Sequence, residues 1–361
     1  MRVYYISSGL AGCYLVRCLL PLAANGWNGD QTSMTPVNKT PENKKDAALA
    51  SDIVVFHRAE DPRKLELARL LKQTGKKIVF DNDDTYKDNS TVKLNKFITE
   101  ERVKRGMASL NKYVDAFIME ADLVTCSTEF LAEEYRKLNP NVVVLPNCVD
   151  PFYFDEPLRN DTDIVRIGVT GSIGVSSDLD VLAPIINHFE HDKRVQIVYF
   201  SLPANRYDKL VGETYTDEYR FLDSINVEWH PYVDIDRYYD KLNSLKLDMM
   251  IIPRADNYFN RCKSNLKFLE ASMFEIPCVA QGFEDGKSPY QVNPEDQKYM
   301  KLVTDNKDWI PEIEKMINDK AGRLEMGKKA HEYVLETYDI ERRAHLWKQA
   351  YAKLDDTNRE N

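Results

Sequence analysis

Short apolar runs alternate with longer, half-apolar stretches along most of the chain, and each change of period falls at a glycine, a proline or an acidic turn. In the first 150 residues the compact runs Arg2–Ser7, Asp52–His57, Lys77–Phe80, Leu123–Cys126 and Val142–Leu145 predict strands. Between them, the stretch from Gly12 to Ala24, then Pro62–Thr74, Lys93–Phe117 and Thr128–Lys137 have apolar positions at helical spacing. Asn25-Gly26 and Gly75 supply helix stops. Strand and helix in strict alternation predict a doubly wound α/β layer.

The same alternation restarts at Ile164–Val169 and continues through Asp178–Phe189, Val195–Phe200, Val227–His230, Ile235–Ser244 and a βαβ unit over Leu247–Ala280. Trp309–Leu354 is amphipathic and helical, and Asp355–Asn361 reads as a frayed end. Between the two halves, residues 150–163 hold five acidic residues against one arginine, next to Pro146 and Pro151. That composition marks an exposed interdomain link. Two domains are expected, residues 1–150 and 151–340, with 341–361 a last helix and tail. No internal repeat or low-complexity tract interrupts them.

Within the βαβ unit, the apolar run Leu245–Pro253 ends at Arg254 just before a polar loop, which is where open parallel sheets bind ligands. Lys263, Lys267 and Glu270 follow at i, i+4 and i+7, which predicts one helical stripe with two ammonium groups and a carboxylate. Like charges at i, i+4 cost roughly 0.2–0.5 kcal/mol, so the stripe calls for an anionic partner. Ser264 and Asn265 add short polar groups to the free N–H groups of the first turn, a setting that suits phosphate. A solvated basic helix start explains the segment about equally well when it is taken alone.

The string Lys263-Ser264-Asn265-Leu266-Lys267 with Leu269-Glu270-Ala271 and Pro277-x-Val279-Ala280 resembles the donor-binding segment of the retaining, nucleotide-sugar-dependent glycosyltransferases of the GT4 or group 1 family. That family has the GT-B fold, two Rossmann-like domains facing across a cleft. Pro146-Asn147-Cys148-Val149-Asp150 is similar to its P-N-G-V-D junction, with Cys148 in place of glycine. The stretch around Gly12, Tyr14 and Arg17 resembles, with looser spacing, the G-x-Y-R-x-x-x-P start of bacterial and phage-encoded members.

The resemblance implies transfer of a hexosyl or pentosyl group from a UDP- or GDP-sugar to a hydroxyl acceptor, with retention and with no cofactor or metal beyond the donor substrate. The acceptor would be a saccharide, a protein or modified nucleic acid. Glu270 matches the second Glu of the family's E-x7-E pattern, which grips the ribose, while Cys262 stands where the sugar-holding first Glu belongs. Gly168-Val169-Thr170-Gly171-Ser172 would be the loop where family members carry a G-R pair on the diphosphate; it has Thr170 and Ser172 instead, so the cationic work would pass to Arg254, Arg261, Lys263 or Lys267. Leu266, with Ser264 and Asn265, completes the donor segment. His57 would lie near the reacting sugar, and the first domain would meet the acceptor through Gly9, Gly12, Tyr14, Asp83 and Asp84. The last helix would return to pack on that first domain.

Asp81-Asn82-Asp83 satisfies the metal-binding D-x-D pattern of the other major glycosyltransferase fold, but turn and cap chemistry explains these aspartates as well. A net charge of −9 repels nucleic acid as a whole, which disfavours a phage-type enzyme for modified DNA and leaves a local basic groove open. A catalytically inactive nucleotide-sugar-binding protein is the remaining alternative. Six dispersed cysteines without a C-x-x-C pair fit a reduced compartment, and no apolar run approaches the ~18 residues of a membrane span, so a cytoplasmic location is expected.

Overall fold

A computed structural model describes residues 1–7, 12–27, 42–87, 111–171, 176–200 and 226–356. It has two parallel sheets with helices packed on them, an α/β architecture. The first sheet runs β1 (Val3–Ser7), β2 (Ile53–His57), β3 (Lys77–Asn82), β4 (Leu123–Cys126) and β5 (Val142–Val144), its described strands in sequence order and all parallel. Every residue of β2 and β4 is buried, so these strands read as unbroken apolar runs where an exposed sheet would alternate. Helix Pro62–Gln73 begins where Asp61 accepts a hydrogen bond from the Arg63 N–H at 2.9 Å and Pro62 needs no donor of its own.

The second sheet has the order β11-β10-β9-β6-β7-β8, with β6 (Val165–Thr170), β7 (Val195–Phe200), β8 (Val227–His230), β9 (Met249–Ile252), β10 (Cys278–Gln281) and β11 (Lys301–Val303). The chain lays down β6, β7 and β8 in one direction, then starts again at β9 on the other side of β6. The carboxyl ends of β6 and β9 therefore form a topological switch point, the crevice where such sheets hold ligands. β11 was not expected. It has three residues at the sheet edge, one of them buried, too short for a periodic signal.

Two further differences concern the site. Gly168 is inside β6, not in the loop, and a Cβ there would fall 2.3 Å from the Leu247 side chain. Lys263 is not on the stripe with Lys267 and Glu270: a short helix, Tyr258–Arg261, stops before it and a new one, Leu266–Met273, starts after it. The Asn257 side chain caps the short helix, and the polar run Ser264-Asn265 is drawn to partners elsewhere, which breaks the continuity that spacing alone suggested. Residues 111–120 are helical; the remainder of Lys93–Phe117 up to residue 110 lies outside the described residues.

The chain passes between the halves at residues 145–151 and again at 338–340, where the two segments pair. Val149 donates to the Tyr338 carbonyl and Ile340 to the Val149 carbonyl, each at 2.9 Å. Helix Ile340–Asp356 then packs on Leu20–Ala24. The Tyr351 and Tyr5 hydroxyls are 2.9 Å apart, and Trp27 stacks on Tyr351 at 5.4 Å.

Candidate functional site

Two groups of charged side chains meet where the carboxyl ends of the sheets come together. In the first half, β2 ends at buried His57, whose Nδ1 is 2.9 Å from Ser7 Oγ and whose Nε2 is 3.7 Å from Asp83 Oδ1. Arg58 then takes a left-handed backbone (φ 50°), a conformation that costs free energy for any residue but glycine. The turn directs its guanidinium onto Asp83 Oδ1 (2.9 Å) and Asp84 Oδ2 (3.1 Å). Burial works against the Asp83 charge, yet Arg58 and His57 beside it hold the carboxyl well below the usual range. Asp81 is engaged by Arg17, which donates from Nε (3.1 Å) and Nη2 (2.7 Å) from within a π-helical turn, Leu15–Leu19. The D-x-D pair is thus divided between two arginines, and among the described residues no group of His, Cys, Asp and Glu is arranged to hold a metal ion.

In the second half, β6 ends at Thr170 and Gly171 continues with φ +147°, where a Cβ would sit 3.3 Å from Lys267 Nζ. The close approach is what glycine permits here. Lys267 donates to the Thr170 carbonyl and, at 2.8 Å, to its hydroxyl. One turn on, buried Glu270 accepts from the Tyr238 hydroxyl at 3.2 Å. Arg254 follows β9 and donates to Asp178 Oδ2 at 2.6 Å, while its Nε is buried without a hydrogen-bond partner among the described residues. Asp178 is fixed in turn by the Ala255 N–H (2.9 Å) and Asn260 Nδ2 (2.6 Å).

Burial and the nearby Arg254 charge push the Lys267 ammonium down, with Glu270 opposing. Burial pushes the Glu270 carboxyl up, with Lys267 opposing. An anion placed against Lys267 and Arg254 would restore the charged ammonium. Thr170, Gly171, Asp178, Arg254 and Lys267 enclose a space of about 30 Å³. Beside it, Arg254 also borders a larger cavity of about 530 Å³ lined by Ala255, Gly282, Phe283 and Thr304, within the range of small-molecule sites.

Of the residues marked by sequence, Gly171, Arg254 and Lys267 come together, with Glu270 adjoining. Lys263 instead crosses to the first half, its Nζ 2.5 Å from Asp84 Oδ2. Arg261 is paired instead with Asp256 (2.7 Å) and Asp285 (2.6 Å), its guanidinium over the Phe283 ring. Ser264 accepts from Asn147, and Asn265, the N-cap position of helix Leu266–Met273, gives its amide to buried Asp296 at 2.6 Å, leaving that helix start without a side-chain cap. Leu266 is half-buried against the core, Tyr14 is within it, and Gly12 lies where a Cβ would meet Ile235 at 3.6 Å. Gly9 and Ser172 lie outside the described residues. Sequence reasoning missed Arg58, Asp178, Tyr238 and the Arg17–Asp81 pair. The G-x-Y-R likeness touched Arg17 and the D-x-D pattern touched Asp81, but neither pointed to their pairing.

No family model and no curated protein matches the chain. Among solved structures it is similar to sucrose-phosphate synthase from Thermosynechococcus elongatus, with a TM-score of 0.62 at 14% identity over 99% of this chain and 100% of that one. It is similar to Anabaena HepE in complex with UDP and glucose, with a TM-score of 0.61 at 12% identity over 98% and 99% of the two chains. TarM superposes on 87% of this chain with a TM-score of 0.57 at 15% identity, and the chain spans 60% of TarM's length. These neighbours are GT-B proteins, and the two-sheet fold described above is theirs.

Proposed function

We propose that the protein is a glycosyltransferase that moves a sugar from a nucleoside-diphosphate sugar to a hydroxyl acceptor, with the donor held by the second half. The observation that carries this reading is the convergence of Gly171, Arg254 and Lys267 at the switch point of the second sheet, beside an uncapped helix start. Two cations, a glycine that lets the backbone approach and free helical N–H groups form a diphosphate cradle. Glu270, one turn beyond Lys267, is suited to accept from a ribose hydroxyl pair. HepE, of the same fold, is a UDP complex, which favours UDP over GDP as the base carrier.

In this reading the reaction proceeds with retention, the leaving diphosphate taking the acceptor proton on the same face, so that positioning and charge stabilisation supply the catalysis. Lys267 and Arg254 stabilise the charge that develops on the diphosphate. His57, Asp83 and Asp84 border the cleft from the first half, whose role is to present a saccharide, protein or modified nucleic-acid hydroxyl, and the enzyme works in the cytoplasm. Residues 1–150 form the acceptor domain and 151–340 the donor domain.

A second reading, a nucleotide-sugar-binding protein without turnover, is favoured by Cys262. It replaces the sugar-binding Glu of the resembled family and is fully buried against the core of the first half. Incubation with UDP- and GDP-sugars, hexosyl and pentosyl, followed by chromatography of released nucleotide separates the two. Release with any donor supports transferase chemistry, and the anomeric signal of the product reads its stereochemistry. Tight nucleotide binding with no release from any donor would favour the silent binder.

A further inference from the structure

We infer that Asn147 and Arg17 are positioning residues that set the direction of the Ser264 hydroxyl, forcing it to act as a hydrogen-bond donor to an anionic oxygen of the bound donor. The inference rests on the nucleotide-sugar reading above and names part of its machinery.

Arg17 is fully buried and can only donate. Its Nε and Nη2 are taken by Asp81, which also accepts from Thr125 Oγ1 at 2.6 Å, and its Nη1 reaches the Leu145 carbonyl and, at 3.2 Å, Asn147 Oδ1. An obligate donor beside one end of an amide settles which end is oxygen. The other end of Asn147, its Nδ2, therefore points across the boundary between the halves to Ser264 Oγ at 2.9 Å. Asn147 itself is buried.

A hydroxyl that accepts from an N–H keeps its own proton to give elsewhere. Ser264 makes no other hydrogen bond among the described residues and is half-buried two residues before the uncapped start of helix Leu266–Met273. The chain of bonds runs one way, from Thr125 and Arg17 into Asp81, and from Arg17 through Asn147 into Ser264. Its open end is a donor two residues before the helix start proposed to face the diphosphate. Because the first half supplies Asn147 and the second supplies Ser264, the hydroxyl is oriented when the halves are seated together.

The test is a double-mutant cycle read by calorimetric titration with UDP and GDP. Asn147→Asp keeps the shape but offers Ser264 a carboxylate, so the hydroxyl turns its proton inward. Asn147→Asp and Ser264→Ala are each expected to weaken nucleoside diphosphate binding about tenfold, and the double variant to be within twofold of Ser264→Ala alone. Full additivity would show that the Asn147→Asp substitution acts by repulsion or misfolding and would overturn the inference while leaving the donor reading intact. Ser264→Thr, which restores a hydroxyl without touching the Arg17 network, is expected to retain affinity. Unchanged binding in Ser264→Ala would overturn the inference even if Asn147→Asp failed to fold. Wild-type protein that bound neither nucleotide would overturn the donor reading and the inference together.

Discussion

Lys263 and Asp84, 179 residues apart in sequence, form an ion pair across the cleft, with Nζ 2.5 Å from Oδ2 and both side chains about four-fifths buried. Asp84 also holds Arg58, so the carboxylate joins the strained end of β2 to the loop before the donor helix. Lys263 is thus a clasp between the halves. Partial exposure limits its worth to about 1 kcal/mol. Lys263→Ala and Asp84→Ala are each expected to lower the unfolding free energy by that order, and the double variant by no more than the larger single. Denaturant titrations at low and high salt check this, and additive losses would mean the pair is not coupled.

Lys267 has the opposite situation: burial lowers its proton affinity, and the neighbouring Arg254 charge of the same sign lowers it further. A bound diphosphate would raise that affinity, so binding must take up protons wherever the free ammonium is partly deprotonated. Affinity for a UDP-sugar, whose diphosphate stays ionised throughout, should fall as pH rises above neutrality. Calorimetry at pH 8 in buffers of different ionisation heat should register proton uptake. Lys267→Ala is expected to abolish that uptake and weaken binding at least tenfold. A pH-independent affinity would contradict this role.

Most of the strands were legible because parallel strands buried on both faces, such as β2 and β4, leave contiguous apolar runs that no other element explains. The Lys267–Glu270 pair was legible for a related reason, since residues three apart in one helix share a face. Lys263 was misplaced by the same rule. Spacing assumes an unbroken helix, and the partners that break this one, Asn147 and Asp296, are distant in sequence. The Arg17–Asp81 pair and the Arg254–Asp178 pair were invisible for that reason too: buried ion pairs between separate elements have no period. Arg58 has no composition cue at all, because its unusual backbone follows from what it must reach.

Glu270 provides a contrast between two ligands. If it accepts from a ribose hydroxyl pair, Glu270→Ala should weaken nucleoside diphosphate binding by roughly 1.5–3 kcal/mol, the scale of a hydrogen bond to a charged group. Inorganic diphosphate lacks the ribose and should be affected far less. Competition titrations with both ligands measure the difference. Equal losses would reduce Glu270 to a partner of Tyr238 and Lys267.

The buried guanidinium of Arg17 should be far costlier to lose than the cleft clasp. Asp81 has no solvent to replace it, and cutting one member of a buried pair typically costs about 3–5 kcal/mol. Arg17→Met is therefore expected to lower the melting temperature well beyond the effect of Lys263→Ala, and Arg17→Met with Asp81→Leu to recover part of the loss. Thermal unfolding of the three variants tests the order. No recovery in the double variant would place the cost in packing and not in the stranded charge.

Motion of the halves is the remaining expectation. Two chain segments cross between them, and they are side by side, with Val149 bonded to Tyr338 and Ile340 at 2.9 Å. Crossings gathered into one short parallel bridge act as a hinge, because rotation about them changes few backbone angles. Cleft contacts such as Lys263–Asp84 would then break and re-form while each sheet moves as a unit. Small-angle scattering is expected to show a smaller radius of gyration with UDP-sugar than without it. Lys263→Glu, which sets two carboxylates against each other at the clasp, should enlarge the empty protein and leave the saturated one nearly unchanged. A radius that responds neither to ligand nor to Lys263→Glu would mean the halves are fixed, and that the donor enters a cleft already formed.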